Sequence, residues 1–429
     1  MVFTSTPRFK RWRARAIAST ALIGLCLDGS ALAAPVSGRW VTAWASAMQS
    51  IPDLPDPPPL YRTPEVAGRT IRQIVYPTVS GRSVRVHLSN ALSRAPLTLT
   101  AVTLAQSASG AATRPGTSVR VTFGGKPWVT LQPGAEADSD PVSTELTAGE
   151  PYAISLAAGP AQTLTAWHRV ANQINYVSTP GDHSADVRAT AFPRKFTESA
   201  WVSGLDVQAS SAAAVAAIGD SITDGLRSSL NRNRRWPDAF ARRLEQAGVD
   251  RTAVLNLGIS GNRLLSDSPC YGQALERRFE RDALGHAAVT AVIVLIGIND
   301  INFGSMPPRV GLDCDFPHTS VNARDLTDGY RRLIDRAHRS GVRIFGATLL
   351  PASLPPAREA VRSAVNDWIR RSRAFDGVVD FDAALRDSAH PERLQRRFDS
   401  GDHIHPSDEG YAAMAAAIPV EMFATVTPR

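Results

Sequence analysis

Val215-Ala216-Ala217-Ile218-Gly219-Asp220-Ser221-Ile222-Thr223 joins a run of small and apolar residues to an abrupt polar turn. Val215 to Ile218 suit a buried strand, and Gly219 with Asp220 ends it, which leaves Ser221 at the turn. In an open parallel sheet, ligands bind at the carboxyl ends of the strands, so a hydroxyl there stands at the mouth of a cleft. Taken alone, Gly-Asp-Ser is as readily an ordinary turn. Three further blocks follow in order. Ser260-Gly261-Asn262 and Gly297-Ile298-Asn299-Asp300 each succeed an apolar run, and Asp402-His403-Ile404-His405 lies near the C-terminus.

Around these blocks the chain alternates apolar runs with helical patterns. Strands are expected at 214–219, 253–257, 289–296, 342–349 and 377–381. Helical segments are expected at 236–247, 272–284, 323–340 and 357–374, with a last one after Ser407. Pro237 just inside a helix start and Gly341 just past a helix end are the usual punctuation. Such alternation predicts a parallel sheet covered on both faces, a flavodoxin-like α/β/α fold.

Upstream, from Gly38 to about Val207, the period changes to two. Thr70-Ile71-Arg72-Gln73-Ile74-Val75, Val84-Arg85-Val86-His87-Leu88 and Tyr152-Ala153-Ile154-Ser155-Leu156 alternate between turn signals, with no convincing amphipathic helix. This predicts an all-β sandwich of the jelly-roll kind. Trp40, Trp44, Trp128, Trp167 and Trp201 could stack on sugar rings, but tryptophan in a sandwich is more often core, and core is the expectation for each. The polar loop Gly181-Asp182-His183 is expected to be a solvated turn. The small-residue stretch Ala209 to Ala214 reads as a linker.

At 429 residues with 43% apolar content, the chain is long enough for two domains. Residues 1–34 are a separate matter. Arg8, Lys10, Arg11, Arg13 and Arg15 precede an apolar run from Ala16 to Leu27 and then Ala31-Leu32-Ala33, the pattern of a secretory signal peptide. There is no twin-arginine pair, and Leu25 before Cys26 does not fit a lipoprotein box, so general export with cleavage near Ala33 or Ala34 is expected. That places the mature protein in a periplasm or outside the cell. Without those five basic residues and Asp28, the net charge of +7 falls to about +3, which does not indicate a nucleic-acid binder. The longest mature apolar run, Ala287 to Ile298, is short of the roughly 18 residues of a membrane span. Removing Cys26 leaves Cys270 and Cys314, either bridged or two buried thiols; export favours the bridge.

The residues of the blocks have a chemistry of their own. A serine hydroxyl needs a base to attack an ester; His405 is the candidate base, and Asp402, three residues earlier, can hold its far ring nitrogen. Ser407 could cap the helix that follows. His403-x-His405 could be half of a metal site, but further His or Cys at ligand spacing is lacking, so neither metal nor cofactor is expected. Asp220 and Asp300 are read as structural, hydrogen-bonding the loop backbone.

The four ordered blocks resemble those of the SGNH (GDSL-type) hydrolases, over about residues 212 to 425. The resemblance implies Ser221 as nucleophile and an oxyanion hole made by the amides of Ser221 and Gly261 with the side chain of Asn299. Ile222, where the family name has Leu, is a conservative departure. Trp40-Val41-Thr42-Ala43-Trp44, Arg85 to Asn90 and Arg235-Trp236-Pro237 are similar to a two-domain secreted branch that includes enzymes associated with acetylated xylan. The implied organisation is a β-sandwich accessory domain at 38–207 and an SGNH catalytic domain at 212–429. The implied activity is a secreted serine esterase that removes small acyl groups, acetyl foremost, from a carbohydrate. Alternatives are a feruloyl, aryl or short-chain lipid esterase, an acyltransferase, and a carbohydrate-binding protein whose hydrolase half is inactive. Arg263, Phe303 and His318, in loops that carry the two cysteines, are further candidates for substrate contact.

Overall fold

The protein's structure, a computed structural model, describes residues 38–210, 212–304, 306–307 and 312–423. The signal-peptide reading of 1–34 lies outside the described residues. The described residues form one compact unit.

The N-terminal half is a sandwich of two antiparallel sheets. One runs in the order Arg39–Ala45, Val202–Ala209, Gly81–Ser89, Glu136–Asp138, with Val142–Leu146 also paired to Gly81–Ser89. The other runs Arg194–Phe196, Asn175–Pro180, Arg69–Val75, Tyr152–Ala158, Leu97–Gln106, Val119–Val121, with Val129–Leu131 on Leu97–Gln106. Period-two patterning explains the burial. Val84, Val86 and Leu88 are inside, while Arg85 and His87 between them are partly exposed. Trp167 and Trp201 are core as expected, but Trp128 is 48% exposed, and Trp40 is half-buried beneath the Arg85 guanidinium. The physical reason for Trp128 is local: it lies in the turn between two three-residue strands, where Lys126 covers one ring face.

The C-terminal half is a five-stranded parallel sheet. Its order is Thr252–Gly258, Ala213–Gly219, Val289–Leu295, Arg343–Ala347, Gly377–Val379. That is the flavodoxin-like order, whose switch point falls beside the first strand. All seven residues of Ala213–Gly219 are buried. The helices Trp236–Gln246, Ala323–Arg339, Pro356–Arg371 and Asp408–Ala416 lie where the sequence pattern puts them. The segment around 275–284 is shorter and irregular: a helix Leu275–Phe279 widens into a π-type turn at Glu280–Leu284. Among the described residues no helix is long and apolar enough to cross a membrane.

The two halves are joined by backbone. Thr42 N–H donates to Ala287 O at 3.1 Å, and the Thr42 hydroxyl accepts from Ala287 N–H at 2.9 Å. Thr78 Oγ1 donates to Val254 O and accepts from Val254 N–H, at 3.1 and 3.0 Å. The expected linker is short. Ala209 still belongs to the last sandwich strand, and Ala213 already opens the parallel sheet.

Candidate active site

The first strand of the parallel sheet ends at Gly219, where a Cβ would meet Leu295 O and Thr223; only a glycine lets the neighbouring strand end approach so closely. Asp220 then caps a one-turn helix, Ser221–Asp224, with its Oδ1 accepting from Ile222 N–H at 3.0 Å. Ser221 is thus the first helical residue, and no described residue accepts its N–H. Its side chain is nearly buried, yet Oγ lies 2.8 Å from His405 Nε2.

His405 arrives from the other end of the chain. Its Nδ1 is 2.8 Å from Asp402 Oδ2, and Asp402 Oδ1 accepts from His405 N–H at 2.8 Å and Ile404 N–H at 3.1 Å. An ionised carboxylate only accepts, so Nδ1 carries the hydrogen and Nε2 is left to accept from Ser221. Partial burial raises the Asp402 pKa, but the hydrogen bonds from His405 and Ile404 outweigh it and hold the carboxyl well below its ordinary range. Arg227 Nε also reaches Asp402 Oδ2 at 3.0 Å. Ser407 caps the following helix by accepting from Gly410 N–H at 3.2 Å. His403, two residues before His405, is held by Asp399 at 2.6 Å. Among the described residues no group of His, Cys, Asp and Glu is placed to hold a metal ion.

Gly261 and Asn299 stand on the same side as Ser221. Gly261 has φ +84°, and a Cβ there would overlap the Tyr271 ring; no described residue accepts its N–H. Asn299 donates one Nδ2 hydrogen to Asn262 O at 3.0 Å, which fixes the amide and leaves its second hydrogen for another acceptor. Asp300 accepts from Leu264 and Leu265 N–H at 2.8 and 3.0 Å, and so binds the third block to the second. Burial raises its pKa to about 6, against those two bonds. Burial raises Asp220 further, to about 7; the Ile222 bond opposes the shift and the neighbouring Asp300 adds to it.

Some of the residues that shape the site are silent in the sequence. Arg278 is fully buried and donates to Gly219 O, Leu257 O and Asn262 Oδ1 at 2.8, 2.9 and 2.9 Å, tying two strand ends to the second block. Asp224 accepts from Ser260 N–H and Oγ–H at 2.9 and 2.6 Å, and its other oxygen is 3.0 Å from His168 Nε2, a residue of the N-terminal half. No local motif marks these residues, because the partners just named lie 16 to 59 positions away. Cys270 and Cys314 form a disulfide, with Cα atoms 5.0 Å apart. Arg263 donates to Phe316 O and Pro317 O and lies over the Phe303 ring, while His318 bonds Phe303 O and Asp315. These three therefore brace the disulfide-bearing loop.

A hydroxyl facing an imidazole that is itself held by a carboxylate is the arrangement for base-assisted nucleophilic attack on a carbonyl. Two backbone N–H groups and an amide hydrogen nearby can receive the charge that such an attack places on oxygen.

Residues 217–413 match the GDSL-like Lipase/Acylhydrolase family. Among solved structures, the chain is similar to a GDSL-like lipase from Bacteroides thetaiotaomicron, at 18% identity over 49% of this chain and 88% of that one, TM-score 0.34. It is also similar to an acetyl xylan esterase from Geobacillus stearothermophilus, at 21% identity over 51% and 97%, TM-score 0.38. A third is an alpha/beta hydrolase from the metagenome of Lake Arreo, Spain, at 23% identity over 48% and 94%, TM-score 0.36. No curated protein matches the chain. The C-terminal half carries a GDSL-like lipase/acylhydrolase domain, matched over the segment that spans Ser221 to His405.

Proposed function

We propose that the protein is a serine esterase that removes small acyl groups, acetyl foremost, from a polysaccharide or glycoside. The observation that carries this reading is the continuous chain Ser221 Oγ to His405 Nε2 to Asp402, each link 2.8 Å. His405 takes the Ser221 proton as Oγ bonds to the ester carbonyl carbon. The carbonyl oxygen becomes an oxyanion facing the amides of Ser221 and Gly261 and the Asn299 side chain. As the carbonyl re-forms, the ester C–O bond breaks and the alcohol leaves with the proton from His405. Water then attacks the acyl-enzyme, giving its proton to His405, and the acid leaves as Ser221 regains its hydrogen.

The carbohydrate preference rests on the likeness of the N-terminal stretches to the two-domain branch associated with acetylated xylan. Export rests on the basic-then-apolar pattern of residues 1–34. N-terminal sequencing of protein recovered from the producing cells tests export; a start at or near Pro35 is expected, and an intact Met1 rejects it.

The activity is tested by acetate release from acetylated xylan and from p-nitrophenyl acetate, with Ser221→Ala as the comparison. Release from both, abolished by the substitution, is expected. Turnover of the small ester alone moves the reading to an aryl or short-chain esterase. Activity that survives in Ser221→Ala rejects the mechanism.

A further inference from the structure

The segment after the short strand Ala166–Trp167 is tied to Ser199 and Thr197 of the N-terminal half and also bonds residues of the C-terminal half. Asn172 Nδ2 donates to Ser228 Oγ at 2.6 Å, and Asn231 Oδ1 accepts from Gln173 Nε2 at 2.9 Å and from Ile174 N–H at 2.6 Å. These bonds fix the segment against the loop that follows Ser221. At its start stand His168 and Arg169, whose side chains point at the second block.

His168 is buried with both ring nitrogens facing oxygens: Nδ1 lies 2.8 Å from Ala47 O, and Nε2 lies 3.0 Å from Asp224 Oδ1 and 3.1 Å from Val170 O. A ring with acceptors at both nitrogens is held as the doubly protonated cation. Burial opposes that charge, but Asp224 more than compensates and the pKa is raised. The other Asp224 oxygen holds Ser260 by its N–H and its hydroxyl.

Arg169 approaches Ser260 from the other side. It is 8% exposed, its Nη2 is 3.5 Å from Ser260 O, and its guanidinium lies 5.3 Å from the centre of the Tyr61 ring. No carboxylate of the described residues is within ion-pair distance of it, and its Nε has no hydrogen-bond partner there. Ser260 C=O and Gly261 N–H belong to one planar trans peptide, so they point in opposite directions. A cation that draws the carbonyl oxygen toward the N-terminal half therefore turns the Gly261 N–H to the opposite side, where no described residue accepts it. In a buried setting the same cation also polarises the peptide, which strengthens the N–H as a donor.

We propose that Arg169, with His168 acting through Asp224, is a positioning pair from the N-terminal half that orients the Ser260–Gly261 peptide as an oxyanion donor. This rests on the esterase reading above. Neither residue touches substrate in this assignment, so their loss should weaken transition-state binding and leave ground-state binding alone.

The test uses the full-length protein with p-nitrophenyl acetate as substrate and a small alkyl boronic acid as a probe that bonds to Ser221. Arg169→Met keeps the aliphatic stem and removes the charge. It is expected to lower kcat by about 10- to 100-fold, with KM within about twofold, and to weaken boronate inhibition by a similar factor. Arg169→Lys is expected to recover part of the loss, and His168→Gln to fall between wild type and Arg169→Met. Thermal melting identifies the variants that fold. A folded Arg169→Met whose kcat and boronate affinity both stay within about twofold of wild type overturns the proposal. A raised KM with unchanged kcat overturns it too, because Arg169 would then be a substrate contact. Should Arg169→Met not fold, Arg169→Gln, which also removes the charge, decides: a loss of about threefold or more in kcat at unchanged KM supports the proposal, and wild-type kinetics reject it. A wild type without turnover on any ester rejects the esterase reading and this inference with it, whereas an active wild type with an unaffected Arg169→Met rejects this inference alone.

Discussion

Asp220 and Asp402 stand on either side of Ser221 and His405, and their environments drive them in opposite directions. Burial lifts Asp220 to about 7, while hydrogen bonds pull Asp402 below its ordinary value. The stability that Asp402 contributes is complete above the unfolded carboxylate pKa near 4 and is lost as pH falls through the depressed folded value. Asp220 behaves inversely. Between about pH 4 and 7 the unfolded chain has this carboxylate ionised while the folded protein keeps it protonated, so stability falls as pH rises, by about 1.4 kcal/mol per unit. Asp300, at about 6, adds to the same trend only up to that pH. Asp220→Asn, which keeps an oxygen to cap Ile222, is expected to reduce the downward slope between pH 4 and 7 by about 1.4 kcal/mol per unit; above about pH 6.5 His87, whose burial is outweighed by bonds to Asp138 and Asp206 that raise it to about 9, still contributes. Urea midpoints across pH 4 to 8 check this, and an unchanged slope between 6 and 7 rejects the neutral Asp220. For activity, Asp402→Asn can still accept from the His405 backbone but no longer enforces the imidazole tautomer. It is expected to lower kcat by about 10²-fold or more with little change in KM, read on p-nitrophenyl acetate.

Catalytic residues that come from four separate blocks depend on how the ends of the elements are fixed. The helix Asp408–Ala416 begins three residues after His405, and Ser407 both caps it and donates to Arg397 O at 2.8 Å. Ser407→Ala is expected to destabilise the protein by about 1 kcal/mol in urea unfolding; a shift no larger than experimental error would show that Arg397 and the cap contribute nothing. This end was legible in the sequence, since Ser before Asp-Glu is a strong helix-start signal. So were the five parallel strands; the apolar runs of Ala213–Gly219, Thr252–Gly258 and Val289–Leu295 end at the first three site blocks. The short helices Ser221–Asp224, Ile298–Phe303 and Phe381–Leu385 were not legible, because four to six residues are too few to show a period of 3.6. His168, Arg169 and Arg278 were silent for a different reason. Each acts through partners on other elements, and one sequence carries no signal of which distant residue a buried cation will meet. The exposure of Trp128 was not legible because composition does not reveal that it lies in the turn before a strand only three residues long.

At the scale of the molecule, the disulfide and the junction between the halves act on the same loop. Cys270–Cys314 closes a 44-residue span, and Cys270 O accepts from Gln49 and Tyr61 of the N-terminal half. Replacing both cysteines by Ser is expected to remove about 4 kcal/mol on the chain-entropy model, seen as a lowered urea midpoint; a midpoint equal to wild type would assign the loop's order to Arg263, Asp315 and His318 instead. The junction makes a stronger demand. A fragment of residues 212–429 would lose the bonds that Thr42 and Thr78 make to the backbone of Ala287 and Val254. It would also leave Asp224 without the hydrogen-bonded His168 cation, with only the more distant charges of Arg235 and Arg278 to offset it. Breaking a buried pair by removing one member typically costs about 3–5 kcal/mol, comparable to much of a domain's net stability. The fragment is therefore expected to lack a cooperative thermal transition and to leave p-nitrophenyl acetate uncleaved, and residues 38–207 supplied by co-expression are expected to restore both. A fragment that melts cooperatively and turns over the ester near the full-length rate would show that the N-terminal half is a detachable accessory, and that the contacts at His168 and Arg169 do not reach the chemistry.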